Sequence, residues 1–154
     1  GIVACSLTHV ILGQLGIENA YMFVLYTGLG VVLGHNFPFY MQFKGGKGIA
    51  ASGGMIVGLW DWRLVVILLA AFIISVVITR YVSVGSLTIM IGFFVLYTVF
   101  AIHGDYNFTS NSKMIEGIVL AAVIAGMAVI RHLPNIKRLI AGTENKLSFG
   151  SKNK

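Results

Sequence analysis

Charge is what this sequence has least of. Only 10% of its 154 residues are Asp, Glu, Lys or Arg, where soluble domains carry about 25%. Acids are scarcer still, five against eleven Lys and Arg. So few charges cannot cover a chain that is 57% hydrophobic, and its mean hydropathy of +0.89 makes lipid the natural solvent for most of it. A single cysteine, Cys5, excludes an internal disulfide and any multi-cysteine metal site. The four histidines are scattered without the HExxH spacing of a zinc pair. Methionine is absent from position 1, and an apolar run starts at once with no charged leader. We read this as a chain whose natural beginning is missing, not as a signal peptide. No internal repeat or low-complexity tract is seen.

What is present is a series of six apolar segments, at roughly 1–13, 20–34, 48–60, 64–79, 81–103 and 114–130. A bilayer crossing needs about 20 apolar residues, and only the fifth segment reaches that length unaided. The expected fold is all-α: a polytopic membrane bundle of about six transmembrane helices, plus a short interfacial helix near the C-terminus. We take 1–142 as the membrane domain and 143–154 as a polar, mobile tail. Pro134 suits the first turn of that last helix. Ile136, Leu139 and Ile140 give it an apolar stripe, and Gly142 can end it.

If the segments alternate in direction, Lys44, Lys47, Arg80, Arg131, Lys137, Arg138, Lys146, Lys152 and Lys154 share one side, and only Arg63 and Lys113 the other. The positive-inside rule then makes the first side cytoplasmic. Trp60, Trp62 and Tyr106 suit an aromatic belt at the outer interface.

The run GHNFPFYMQFKGGKGIAASGG, residues 34–54, stands apart from these greasy segments. Gly45, Gly46 and Gly48 allow the backbone to turn sharply and aim several N–H groups at one place. A helix starting near Gly48 would add the positive end of its dipole, and Lys44 and Lys47 add full charges. That combination suits a phosphate group. It is no nucleotide P-loop, because GxxxxGK[ST] is absent and no strand precedes it. The plain alternative is that the lysines only fix topology and the glycines only turn the chain. Arg80 with Ser83 and Ser86, His132 with Asn135, and His35 face the same side. Taken singly, each has an ordinary structural explanation.

Together these residues resemble the bacterial acyl-phosphate:glycerol-3-phosphate acyltransferases, integral membrane enzymes that make lysophosphatidic acid. The signature is carried by Gly34, His35, Phe37, Pro38 and Phe39, by the run from Phe43 to Gly48, and by Ala50, with Ile49 in place of valine. Arg80 and Ser83 match a later Arg-Tyr-x-Ser segment. His132, Asn135, Arg138, Gly142 and Glu144 match a C-terminal pattern, from which Leu133 departs where arginine is usual. The family has seven membrane helices and a first loop with an arginine and a Gly-Ser-Gly-Asn-type stretch. Neither appears here, so the chain is read as beginning within the second helix and is expected to lack part of the active site.

The resemblance implies a bacterial inner-membrane enzyme whose partners are acyl phosphate, glycerol 3-phosphate and membrane lipid. No cofactor, metal or nucleic acid is expected. His35, Lys44, Gly45, Gly46, Lys47, Gly48, Arg80 and Arg138 would bind substrate phosphates. Ser83, His132 and Asn135 would form the catalytic group. An acyl phosphate is already activated, so direct attack by the substrate hydroxyl suffices, with His132 or a phosphate oxygen taking the proton. A Ser83 acyl-enzyme is the rival scheme. A transporter or channel for a phosphorylated anion is the second reading of the loop, and a purely structural membrane subunit the third.

Overall fold

Each apolar segment folds as one helix. In the computed structural model, which describes residues 1–148, these are α1 (Ile2–Gln14), α2 (Ala20–Asn36), α3 (Ile49–Gly58), α4 (Trp62–Thr79), α5 (Val82–His103) and α6 (Asn111–Arg131). The short α7 (Leu133–Ile140) follows at once. No strand occurs among the described residues.

Four apolar runs are long enough to cross a bilayer, not one: Ala20–Met41, Trp62–Thr79, Val82–His103 and Asn111–Arg131. The difference from the sequence reading lies at the ends. Asp61 caps α4 by accepting the Arg63 N–H at 3.0 Å, and Ser110 caps α6 by accepting that of Lys113 at 3.3 Å. These helices therefore begin among polar residues that hydropathy leaves out. With 13 and 10 residues, α1 and α3 are only ~20 and ~15 Å long, against a hydrocarbon core of ~30 Å.

Helices α3, α4, α5, α6 and α2 follow one another around a ring, and α1 lies across α2 and α3. The seam between α3 and α4 is the most loosely packed of the ring. Phe93 and Tyr97 of α5, Leu25 of α2, Met55 of α3 and Ile124 of α6 fill the centre. Between α1 and α3 the backbones themselves approach. A Cβ at Gly54 would sit 2.7 Å from the Ile2 amide, and one at Gly58 would strike Cys5 Cβ and lie 3.1 Å from the Ser6 amide. Two small residues four apart are a standard means of close helix contact in lipid. Gly58→Val is expected to destabilise the fold by about 1–3 kcal/mol through overpacking. Thermal unfolding in detergent measures it, and an unchanged midpoint would mean that α1 does not rest there.

One end of the ring gathers the α2–α3 loop, the α4–α5 turn and the α6–α7 junction, and with them Lys44, Lys47, Arg80, Arg131, Lys137, Arg138 and Lys146. Lys152 and Lys154 lie outside the described residues. At the opposite end Arg63 binds Asp61 at 2.9 Å and Asp105 at 2.8 Å. Trp60 and Trp62 are exposed there as an aromatic belt requires, but Tyr106 is buried. Its ring stacks on Tyr97 with centroids 4.9 Å apart. Its hydroxyl donates to Asp61 at 3.3 Å, so the carboxylate cluster draws it inward.

Pro134 lies in the first turn of α7. Past the helix, Gly142 at φ +69° lets the Thr143 N–H reach the Arg138 carbonyl at 2.9 Å, a left-handed termination. Of the proposed stripe, Ile136 and Leu139 are half-buried, whereas Ile140 is exposed. The following residues do not simply trail away. The Leu147 N–H donates to the Arg80 carbonyl at 2.7 Å, turning residues 144–147 back over the cationic end. Residues 149–154, the rest of the expected tail, are not described.

Candidate active site

Where the cationic end closes, a cavity of about 680 Å³ opens. His35, Lys47, Ser83, His132, Asn135 and Glu144 supply its polar wall. Phe72, Val82 and Leu147 supply apolar surface. Residues from six separate stretches of the chain thus meet in one place.

The glycine loop forms one side. Gly48, at φ +81°, precedes α3, and no side chain caps that helix. The first N–H groups of a helix have no intrahelical partner, and Gly48, Ile49 and Ala50 border the cavity. Helix α3 therefore presents its positive end to the space, beside Lys47. The preceding glycines are required by proximity. A Cβ at Gly45 would strike the His35 carbonyl, and one at Gly46 the His35 ring. The Gly46 N–H also donates to the His35 carbonyl at 3.2 Å.

Arg131 ties this loop to α6. Its guanidinium donates to the carbonyls of Asn36 at 3.1 Å, Gly45 at 2.9 Å and Gly46 at 2.9 Å, and lies 5.2 Å from the centroid of Phe37. Sequence reasoning saw Arg131 only as a topology-setting cation. Its partners are backbone carbonyls, which leave no mark in the amino-acid pattern. Asn36 was missed as well. It is fully buried against Gly48, and neither amide atom has a partner among the described residues.

The two serines of the α5 start have different surroundings. Ser86 Oγ donates to the Val82 carbonyl of its own helix at 3.0 Å, the ordinary arrangement for serine in a membrane helix. Ser83 Oγ is buried beside the Glu144 carboxylate and has no hydrogen bond within ordinary distance among the described residues. His132, at the α6–α7 junction, is buried and has Nδ1 2.7 Å from the Ala128 carbonyl. That contact assigns the proton to Nδ1 and leaves Nε2 as an acceptor. Burial pushes its pKa below the ordinary 6.5, and nearby Lys47 adds to the effect, so the ring is neutral near pH 7.

Asn135 Nδ2 donates to Glu144 Oε1 at 2.6 Å, and Arg138 Nε donates to Glu144 Oε2 at 2.7 Å. Asn135 and Arg138, with the Ser83 hydroxyl nearby, hold the Glu144 carboxyl down to about 2. Asn135 Oδ1 has no partner among the described residues. Arg138 is thereby committed to a carboxylate and does not border the cavity, contrary to its expected place as a phosphate ligand. Arg80 terminates α4 at φ +61°. It contributes its carbonyl to the Leu147 contact, and its side chain does not border the cavity either. Lys44 is exposed away from it. Gly45 and Gly46 line a neighbouring recess of about 430 Å³ with Arg131 and Pro134, and Lys47 borders both spaces. His35, Lys47, Gly48, Ser83, His132 and Asn135 are the expected site residues that the fold brings together.

Residues 1–142 match the family model described as glycerol-3-phosphate acyltransferase. The chain belongs to that family. A glycerol-3-phosphate acyltransferase of Chlorobaculum tepidum is 34% identical over 153 residues, covering 92% of this chain and 66% of the relative. One from a Thermoanaerobacter species is 35% identical over 147 residues, covering 96% and 65%. The chain thus spans just under two thirds of these family members. Crystal structures of PlsY (YgiH), an integral membrane glycerol 3-phosphate acyltransferase, in glycerol 3-phosphate and lysophosphatidic acid forms, superpose with a TM-score of 0.71 at 28% identity. They align with 92% of this chain, and the family fold is therefore that of an integral membrane protein.

Proposed function

We propose that the cavity transfers a fatty acyl group from acyl phosphate to glycerol 3-phosphate, giving lysophosphatidic acid and inorganic phosphate. The observation that carries this reading is the meeting of an uncapped, glycine-flanked helix terminus with a neutral, acceptor-ready His132 around one cavity. Family membership supports the same chemistry. The α3 terminus and Lys47 hold a phosphate group. Ser83 and Asn135, each with an oxygen unpaired among the described residues, orient the glycerol hydroxyls and the acyl carbonyl.

The acceptor hydroxyl oxygen forms a bond to the acyl carbon, and the carbon–oxygen bond to phosphate breaks with its electron pair leaving on phosphate. The hydroxyl proton goes to His132 Nε2 or to a phosphate oxygen. No covalent enzyme intermediate is needed, because the mixed anhydride is already reactive. The cationic end faces the cytoplasm of a bacterial inner membrane, following the excess of Lys and Arg at that end.

The full-length protein, with the first helix and first loop that the family resemblance calls for joined ahead of this chain, is expected to form labelled lysophosphatidic acid in lipid vesicles given palmitoyl phosphate and radiolabelled glycerol 3-phosphate. Uptake of label into vesicles without lipid product would favour the transporter reading. Acylated Ser83 after mixing with palmitoyl phosphate alone would replace direct transfer by an acyl-enzyme.

A further inference from the structure

Asn36 ends α2 and is fully buried. Its backbone carbonyl accepts from Arg131, but neither Oδ1 nor Nδ2 of its side chain has a partner among the described residues. Buried polar groups are nearly always paired, and one left unpaired costs about 1–3 kcal/mol. The family signature does not account for the residue either, since it is carried by Gly34 and His35 and then by Phe37 and Pro38. For packing alone, an apolar side chain would serve better.

The position of the carboxamide gives it a purpose. A Cβ built on Gly48 would lie 2.7 Å from Asn36 Oδ1 and 3.3 Å from Nδ2. Gly48 is the N-cap of α3, so the carboxamide occupies the ground that a capping side chain would take. An ordinary cap places an oxygen there to accept the first N–H groups of its helix. In α3 no side chain does so. The Ser52 N–H is the first to find a carbonyl, that of Gly48 at 2.8 Å, and the N–H groups of Ile49, Ala50 and Ala51 precede it. An anion accepted by those three stands where a cap's oxygen would stand, and therefore against the Asn36 carboxamide. Gly48 also borders the cavity, so an anion reaches that position from there.

We infer that Asn36 is a further binding residue of the phosphate seat, its Nδ2 donating to an anion oxygen across the bare Cα of Gly48. The inference rests on the phosphate-holding part of the proposed function and not on the transfer step. A neutral donor suits the place. A buried cation would carry a desolvation cost of several kcal/mol in the empty protein, whereas an unpaired amide costs less and recovers that cost when the anion arrives. Asn36 thus lowers the stability of the empty protein and raises its affinity for phosphate. Packing alone does not produce two effects of opposite sign.

The test compares the full-length protein in detergent as wild type, Asn36→Leu and Asn36→Asp. Leucine keeps the branched shape and removes both polar atoms, while aspartate replaces the donor by an acceptor. The Arg131 contact survives in each, because it uses the Asn36 backbone carbonyl. Titration calorimetry with glycerol 3-phosphate and with inorganic phosphate reads affinity, and thermal unfolding without ligand reads stability. Asn36→Leu is expected to weaken both ligands about tenfold, as for one lost hydrogen bond to an anion, while its unfolding midpoint stays level or rises. Asn36→Asp should weaken them about a hundredfold, because like charges then meet at the seat. Unchanged affinity in either variant, affinity lost together with stability in Asn36→Leu, or an effect on glycerol 3-phosphate alone would each overturn the inference. Lysophosphatidic acid formed with a KM for glycerol 3-phosphate indifferent to Asn36 would overturn it and leave acyl transfer standing. Affinities that change as expected, with no lysophosphatidic acid from the wild type, would keep the seat and remove the transfer reading.

Discussion

His132→Ala is expected to lower acyl-transfer turnover by about a hundred- to ten-thousand-fold, the usual contribution of a general base, with little change in the KM for glycerol 3-phosphate. The ring touches the backbone through Nδ1, which under the proposed transfer leaves Nε2 for the acceptor hydroxyl. Its effect therefore belongs to the transition state more than to binding. The pH profile supplies a second check. The base works only when neutral, so activity is lost as pH falls through its pKa in the folded protein. Burial and Lys47 both depress that value, which places the acid limb below pH 6.5. Lys47→Met should move the limb upward by removing one of those causes. Steady-state kinetics across pH reads both effects. Full turnover by His132→Ala would assign proton removal to the substrate's own phosphate.

Arg131→Ala is expected to raise the KM for glycerol 3-phosphate about ten- to a hundredfold, equivalent to about 1.4–2.8 kcal/mol, with a smaller fall in kcat. Three loop carbonyls lose a charged donor, and hydrogen bonds to charged groups are worth about 1.5–3 kcal/mol each before the loop relaxes. Released, the loop no longer holds the α3 terminus and Lys47 in register for an anion. Arg131→Lys should recover only part of the loss, because an ammonium cannot span three carbonyls as a planar fork does. Initial-rate kinetics with both variants decides the matter. Equal losses in kcat and KM for alanine and lysine alike would point to general unfolding instead.

The helices were readable because lipid imposes long apolar runs, and the glycine–lysine loop because those residues are conspicuous among them. Lys47, Gly48, Ser83, His132 and Asn135 could be nominated from residue type and then meet at one cavity. Arg138 and Arg80 could not be sorted in the same way. Whether a cation is free or committed depends on a partner such as Glu144, which the chain brings near only after Gly142 reverses it. Tyr106 was misplaced for a related reason. Trp60, Trp62 and Tyr106 are equally aromatic, but only Tyr106 has the Asp61 carboxylate to turn toward. Arg131 and the Leu147–Arg80 contact involve backbone oxygens, and every residue has one.

Arg131 and His132 are consecutive residues at the end of α6. Under the proposed transfer, the residue that braces the glycine loop and the candidate proton acceptor therefore sit on either side of one peptide bond. If that reading holds, a tilt of α6 in a thicker or thinner bilayer would carry the loop's brace and the imidazole together, so their spacing would depend on adjacency along the chain and not on stiffness of the whole bundle.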